Sequence, residues 1–357
     1  MTSMGLRAWL PVIAVTALGV VPEASGVDPA RSFLMDAFSL SAADIGRLDG
    51  GHVVTRTLDA SNRREVATFG VVRIKATPAA YVERLGDIAS FKRTADVVQI
   101  GTFSNPAQAE DLAPLTVEEA DLKGLRDCRV EECGIRLSAA DIDRARQTID
   151  WQAADASPKA AQFVRQLLVD YVGRYQQDGS GAAMEYADRS PRLHVGREFT
   201  SLIEGDAVTG RYATGLYRHL QSYPAATADR TTDFVYWSKE KVRGRPVISI
   251  THVAIAPADD AAVAFAIGSK QIYAMHYFDA SLGLTLLVPD RTSPTPATYV
   301  VYVNRSRIDL FDGLFGGVAR RIVAGKARSF VAVQLERLQG MVVGTSTQGV
   351  APEISRR

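Results

Sequence analysis

The chain has 357 residues, with 41 Lys+Arg against 40 Asp+Glu, 46% hydrophobic and 23% charged residues. These are ordinary globular values, and they exclude a disordered, collagen-like or coiled-coil chain. A net charge of +1 lacks the basic excess of a nucleic-acid binder, so no nucleic-acid partner is expected.

The N-terminus sets Arg7 before an apolar run from Ala8 to Val21. Ala24-Ser25-Gly26 then places small residues at the cleavage positions before Val27. This is the layout of a secretory signal. The competing reading is a retained anchor, but the run is short and contains Pro11. Residues 1–26 are expected to be a cleaved signal peptide, and the mature chain periplasmic or secreted. No later apolar run reaches the ~18 residues of a membrane span.

Residues 27–50 predict a short helical opening. Leu40-Ser41-Ala42-Ala43-Asp44-Ile45 recurs as Leu137-Ser138-Ala139-Ala140-Asp141-Ile142. Ser-x-x-Asp is a variant of the capping box, so both hexamers read as helix starts. Residues 52–58 and Arg64 to Lys75 predict a hairpin around the turn residues Asp59 to Asn62. Thr77-Pro78 opens a helix to about Phe91, and Val97 to Phe103 reads as a strand. Leu122 to Leu137 is expected to be extended and interrupted by a turn between Cys128 and Cys133. An even cysteine count in an exported chain favours a disulfide, with two free thiols as the alternative. So small a loop should give less than the ~3 kcal/mol of a 15-residue loop.

From Ser157-Pro158 to Asp178 the apolar residues Ala160, Phe163, Val164, Leu167, Leu168, Tyr171, Val172 and Tyr175 follow the helical period. Shorter helices are expected at 196–204 and 212–221. Strands are expected at Asp233–Lys239, Pro246–Ala256, Ala262–Phe278, Leu282–Pro289 and Thr298–Arg307. A long helix follows from about Phe315 to Val343, with Phe315, Val318, Ile322, Phe330, Gln334, Leu338 and Met341 on its packed face. The order divides the chain into 1–26 (signal), 27–137, a helical insertion at 138–225, 226–343, and a tail at 344–357.

This order of elements resembles the helix-grip layout of START-like and polyketide-cyclase-like proteins. The resemblance is carried by the Arg64–Lys75 strand running into Thr77–Leu85, and by the final unit from Tyr299–Arg307 to Val343. It is one of layout, over about two-thirds of the chain, with no diagnostic motif and with 138–225 outside the family pattern. The stretches Phe234–Lys241, Ser269–Asp279 and Tyr302–Arg307 also resemble parts of an uncharacterised group of exported bacterial proteins, which brings no activity with it. The resemblance implies an α+β fold in which a curved antiparallel sheet grips a long C-terminal helix. It also implies an apolar cavity between the two for a lipid or another hydrophobic molecule.

As one strand, Ser269–Asp279 would set Gln271, Tyr273, Met275, Tyr277 and Asp279 on one face and Lys270, Ile272, Ala274, His276 and Phe278 on the other. Such a mixed strand suits a ligand cavity; the alternative is a strand with one solvated face. His252 and His276 could reach one cavity if their strands pair, where an imidazole can act as a base. Each could equally be a core histidine. Arg305 and Arg307 share a face and could clamp a carboxylate or phosphate, or pair at the surface with Asp309 or Asp312. Ser238-Lys239-Glu240-Lys241 fits Ser-x-x-Lys, but its partner motifs are absent. Serine-hydrolase, zincin, P-loop and dinucleotide motifs are absent too. Five scattered histidines and two neighbouring cysteines give no metal-ligand spacing, so neither a metal nor a cofactor is expected.

The candidate ligand-binding residues are therefore Tyr236, His252, Tyr273, His276, Tyr277, Tyr302, Asn304 and Arg305, with no catalytic assignment. The expected function is an exported binding protein for a lipid or other hydrophobic small molecule. The alternatives are an envelope-associated interaction protein that docks a peripheral partner through 138–225, and a cyclase or hydrolase using His252 or His276.

Overall fold

The computed structural model describes residues 28–60, 62–206, 210–225, 230–309 and 316–343. The expected signal peptide, Asp312 and the tail lie outside the described residues. Eight antiparallel strands make one open sheet: β1 Val54–Leu58, β2 Glu65–Ile74, β3 Val97–Thr102, β6 Thr232–Val242, β7 Arg245–Pro257, β8 Phe265–Ala274, β9 Phe278–Pro289 and β10 Thr298–Ile308. Their order is β1-β2-β10-β9-β8-β7-β6-β3, so β1 and β3 are edges and the sheet does not close into a barrel. A second sheet holds only β4 (Glu185–Tyr186) and β5 (Leu193–His194).

Much of the sheet is buried on both faces because helices pack on both. β2 is buried along nearly its whole length, as expected of a strand packed on two sides. On one face α10 (Gly316–Val343) lies along β2, with Val331, Leu335 and Leu338 buried. α3 (Pro78–Gly86) and α4 (Ile88–Phe91) join it there through Tyr81, Leu85 and Ile88. The opposite face carries α1 (Pro29–Phe38), α2 (Ala42–Asp49), α8 (Val195–Glu204) and α9 (Thr214–Ser222) over one half. α5 (Glu119–Arg126), α6 (Ala139–Thr148) and α7 (Ala156–Asp178) cover the other. Each buried leucine or valine in these seams contributes about 1.5–3 kcal/mol relative to exposure. The fold is α+β, with a large antiparallel sheet and a C-terminal helix, loosely compatible with a helix-grip layout.

The local signals act as their chemistry requires. Ser41 accepts from the Asp44 backbone N–H at 3.1 Å while Asp44 accepts from the Ser41 N–H at 3.0 Å, a full capping box on α2. Ser138 caps α6 by accepting from the Asp141 N–H at 3.1 Å, while its own hydroxyl donates to Asp141 Oδ2 at 2.6 Å. Thr77 caps α3, with Pro78 in its first turn. Cys128 and Cys133 stand at disulfide distance with Cα atoms 4.3 Å apart, across a one-rung bridge between Arg129 and Glu132.

Three expectations are corrected. Leu122–Leu137 is not extended: its first residues belong to α5, which buries Leu122 and Leu125 on a helical spacing. Ala262–Phe278 is not one strand. β8 stops at Ala274, and the chain reverses through Tyr277, whose φ of 65° is left-handed. The packed face of α10 is in part misplaced: Leu338 is buried as expected, but Ile322 and Phe330 are 56% and 52% exposed, and Val331 and Leu335 take the inner positions. The side chains of Phe315, Val318 and Met341 lie outside the described residues.

Candidate functional site

Residues paired across neighbouring strands share a face of the sheet. On the α10 face two adjacent rows are polar. One runs Tyr236, Thr251, Gln271, Ser281, Ser306; the next runs Ser269, Gly283, Asn304, Thr68. Ser269, Gln271, Ser281, Tyr302 and Asn304 are only half-buried, so this floor is open. Part of it is internally bonded. Asn304 Nδ2 donates to Ser281 Oγ at 3.2 Å, Ser306 Oγ donates to Asn304 Oδ1 at 2.7 Å, and the two serine hydroxyls are 2.8 Å apart. Gln271 Oε1 is buried with no hydrogen-bond partner. Gly283 keeps the middle of the floor low: a Cβ there would meet Ser269 Cβ at 3.4 Å and Tyr302 Cε2 at 3.5 Å, in ordinary contact.

The strip has walls of different character. At β6, Lys92 Nζ lies 2.8 Å from Glu240 Oε1, 3.3 Å from Tyr236 Oη and 5.3 Å above the Tyr236 ring. Burial alone would raise the Glu240 pKa, but Lys92 and Ser238 hold it below the ordinary carboxylate range. Burial works against the Lys92 ammonium, and Tyr236 and Glu240 outweigh it, so its pKa is raised. At β2 the first row ends at Val66, where α10 covers the sheet. There Tyr277, Phe278, Val323, Ala324 and Ala327 pack around Val66 and Ile308. The strip thus presents hydroxyls and amides on its floor, one charged wall and one apolar wall. That combination can hold a small amphiphile, with a few placed polar groups fixing its orientation.

Of the eight candidate residues, Tyr236, Tyr302 and Asn304 meet on this strip. His252, Tyr273 and Arg305 are buried on the opposite face. Tyr273 Oη donates to the Arg136 carbonyl at 3.0 Å and packs against Tyr171 and Tyr186. A register shift between Ile250 and Thr251 sends Tyr273 to the face opposite Gln271. His276 and Tyr277 sit in the β8–β9 turn. His276 Nε2 is 2.9 Å from Asp121 Oδ1, which also takes Arg245 at 2.5 Å. His252 and His276 therefore do not share a cavity. Arg305 pairs with Glu65 at 2.7 Å and Asp206 at 3.3 Å; Arg307 pairs with Glu198 at 2.6 Å. Both arginines are buried, so neither the ligand clamp nor the surface pair with Asp309 forms. Asp309 instead joins Arg136.

His252 has its own surroundings. Asp233 Oδ1 lies 2.7 Å from His252 Nε2 and 2.8 Å from His219 Nε2. Burial would raise the Asp233 pKa, but the two imidazoles hold it below the usual range. Burial lowers the His252 pKa, partly opposed by Asp233. Across the β7–β8 ladder, burial pushes the Lys270 ammonium down to about 7; Nζ donates to Ser180 Oγ and the Leu220 carbonyl. The sequence hid this group because 14 and 19 residues separate Asp233 from its histidines. The strip left a fainter trace: polar residues or glycine recur at every second position in 269–271, 281–283 and 302–306.

The chain matches no protein-family model and has no significant match among curated proteins or solved structures. Among the described residues no helix is long and apolar enough to cross a membrane.

Proposed function

We propose that this chain is an exported binding protein for an amphiphilic small molecule, a lipid or similar hydrophobic ligand with a polar head, held on the α10 face of the sheet. The observation that carries this reading is the buried, unpartnered Gln271 Oε1 in the open polar strip. Leaving such an acceptor unpaired costs about 1–3 kcal/mol, and a donor on a bound ligand removes that cost. The head lies over Ser269, Gln271, Ser281 and Asn304, and the apolar body lies along Phe278 and the Val323–Ala327 turn of α10. The START-like resemblance supports the same placement, between sheet and C-terminal helix. The close cysteine pair is compatible with an oxidising compartment.

The test is native mass spectrometry of the chain from Val27, purified from a bacterial periplasm, before and after extraction with organic solvent. An added mass that extraction removes, with an amphiphile in the extract, is the expected result. Gly283→Val should fill the floor and abolish the adduct, and Gln271→Leu should weaken its retention. A wild-type chain with a clean apo mass that also takes up no fluorescent fatty-acid or sterol probe would sink the reading.

A further inference from the structure

His219, Asp233 and His252 come from three elements. His219 is on α9, Asp233 opens β6, and His252 lies within β7. Both imidazoles are buried, and both aim Nε2 at the same carboxylate oxygen, at 2.8 and 2.7 Å. One donor atom from each residue can be chosen so that all lie within 4.8 Å of one another. Among the described residues no lysine or arginine pairs with Asp233. The second nitrogen of His252 is occupied too: Tyr175 Oη lies 2.9 Å from Nδ1. The Tyr223 ring packs 4.4 Å from the His252 ring and stacks on Tyr175. Asp233 alone reaches the surface, with 19% of its side chain exposed.

We propose that these three residues bind a divalent first-row transition ion of the zinc class. Two neutral imidazoles and one carboxylate make a three-ligand set that leaves a position for water. Metal–ligand distances of about 2.0–2.2 Å spread tetrahedral donors to about 3.3 Å apart. The two imidazole–carboxylate separations, 2.8 and 2.7 Å, need to open by about half an ångström. The ion takes the Nε2 lone pairs, His252 keeps its proton on Nδ1, and Tyr175 Oη accepts it there. A partner on the distal nitrogen is the usual way a ligating imidazole is held in orientation. Water completes the shell on the exposed side of Asp233. The site lies on the face of the sheet opposite the polar strip, so it does not depend on the proposed amphiphile.

The test uses the tag-free full chain, stripped with a chelator and titrated with Co2+ under visible absorption. One saturable equivalent with ligand-field bands, displaced by Zn2+, is expected. His219→Gln and His252→Gln should abolish the bands. Tyr175→Phe keeps the ring packing and should weaken binding about 10–100-fold. His52→Gln, at an exposed position before β1, should leave the titration unchanged. Circular dichroism checks that each variant folds; where a histidine variant does not, the wild-type stoichiometry and Tyr175→Phe decide. A wild-type chain that takes up no saturable equivalent overturns the assignment, as does full-affinity binding in Tyr175→Phe.

Discussion

Gly70 lies directly beneath Leu335: a Cβ on the glycine would stand 2.5 Å from Leu335 Cδ1 and 2.7 Å from Val331 Cγ1. The seat of α10 therefore depends on a missing side chain in β2. Gly70→Val forces the helix or the strand to shift and should cost about 1–3 kcal/mol. Leu335→Ala removes the partner from the other side and should cost about 2–5 kcal/mol. Urea unfolding at constant slope reads both. An unchanged midpoint for Gly70→Val would contradict this contact.

Acid should loosen the β8–β9 turn through Asp121. Burial pushes its pKa up, but His276 and Arg245 push it further down, below the ordinary carboxylate range. A depressed carboxylate contributes stability that is present above its unfolded value and is lost as pH falls through its folded value. Wild-type stability should therefore drop below about pH 4, where Asp121 begins to protonate in the unfolded chain. Asp121→Asn should be less stable at pH 7 and show a shallower acid slope. Parallel profiles for the two proteins would remove Asp121 from the acid transition.

Lys270 gives a slope of the same sign on the alkaline side. Its pKa falls from 10.5 in water to about 7 in the fold because the ammonium is buried. Between those values the unfolded chain holds a proton that the folded chain has released, so stability rises with pH across the window. Lys270→Met carries no such proton. Its unfolding free energy should be flatter than wild type between about pH 7 and 9. An equal slope in both proteins would mean that Lys270 keeps its charge in the fold.

The disulfide contributes modestly. Closing a loop this short removes about 2 kcal/mol worth of unfolded-chain entropy. The Cys128→Ser, Cys133→Ser double variant should lose about that much at constant pH. Added reductant should lower the wild-type midpoint to the same degree and leave the variant unmoved.

What the sequence disclosed was local. Ser41 and Asp44, and again Ser138 and Asp141, announced helix starts because a cap needs only residues three apart. The apolar period of 160–175 announced α7 for the same reason. The expected face of α10 had Leu338 right but Phe330 wrong, because Phe330 is as apolar as Val331 and the notch at Gly70 that seats Val331 and Leu335 lies far away in sequence. Tyr273 was placed on the wrong face because one extra residue opposite Thr251 inverts the alternation beyond it. Arg305 read as a ligand clamp because Glu65, its partner, lies 240 residues away. His219, Asp233 and His252 were all present in the sequence, but no spacing rule joins a helix and two strands that meet only after folding.

The pairing of β2 with β10 also sets when this protein can become itself. On a ribosome, β2 emerges early and gains β1 as a neighbour on one side only. Its other edge stays bare until Thr298–Ile308 has been made, and α10 follows later still. Until then the chain carries a long apolar strand with free backbone donors and acceptors, the arrangement most open to mispairing. A chain kept from closing in this way remains threadable until its last segment arrives. A product cut short before Thr298 can never finish its sheet.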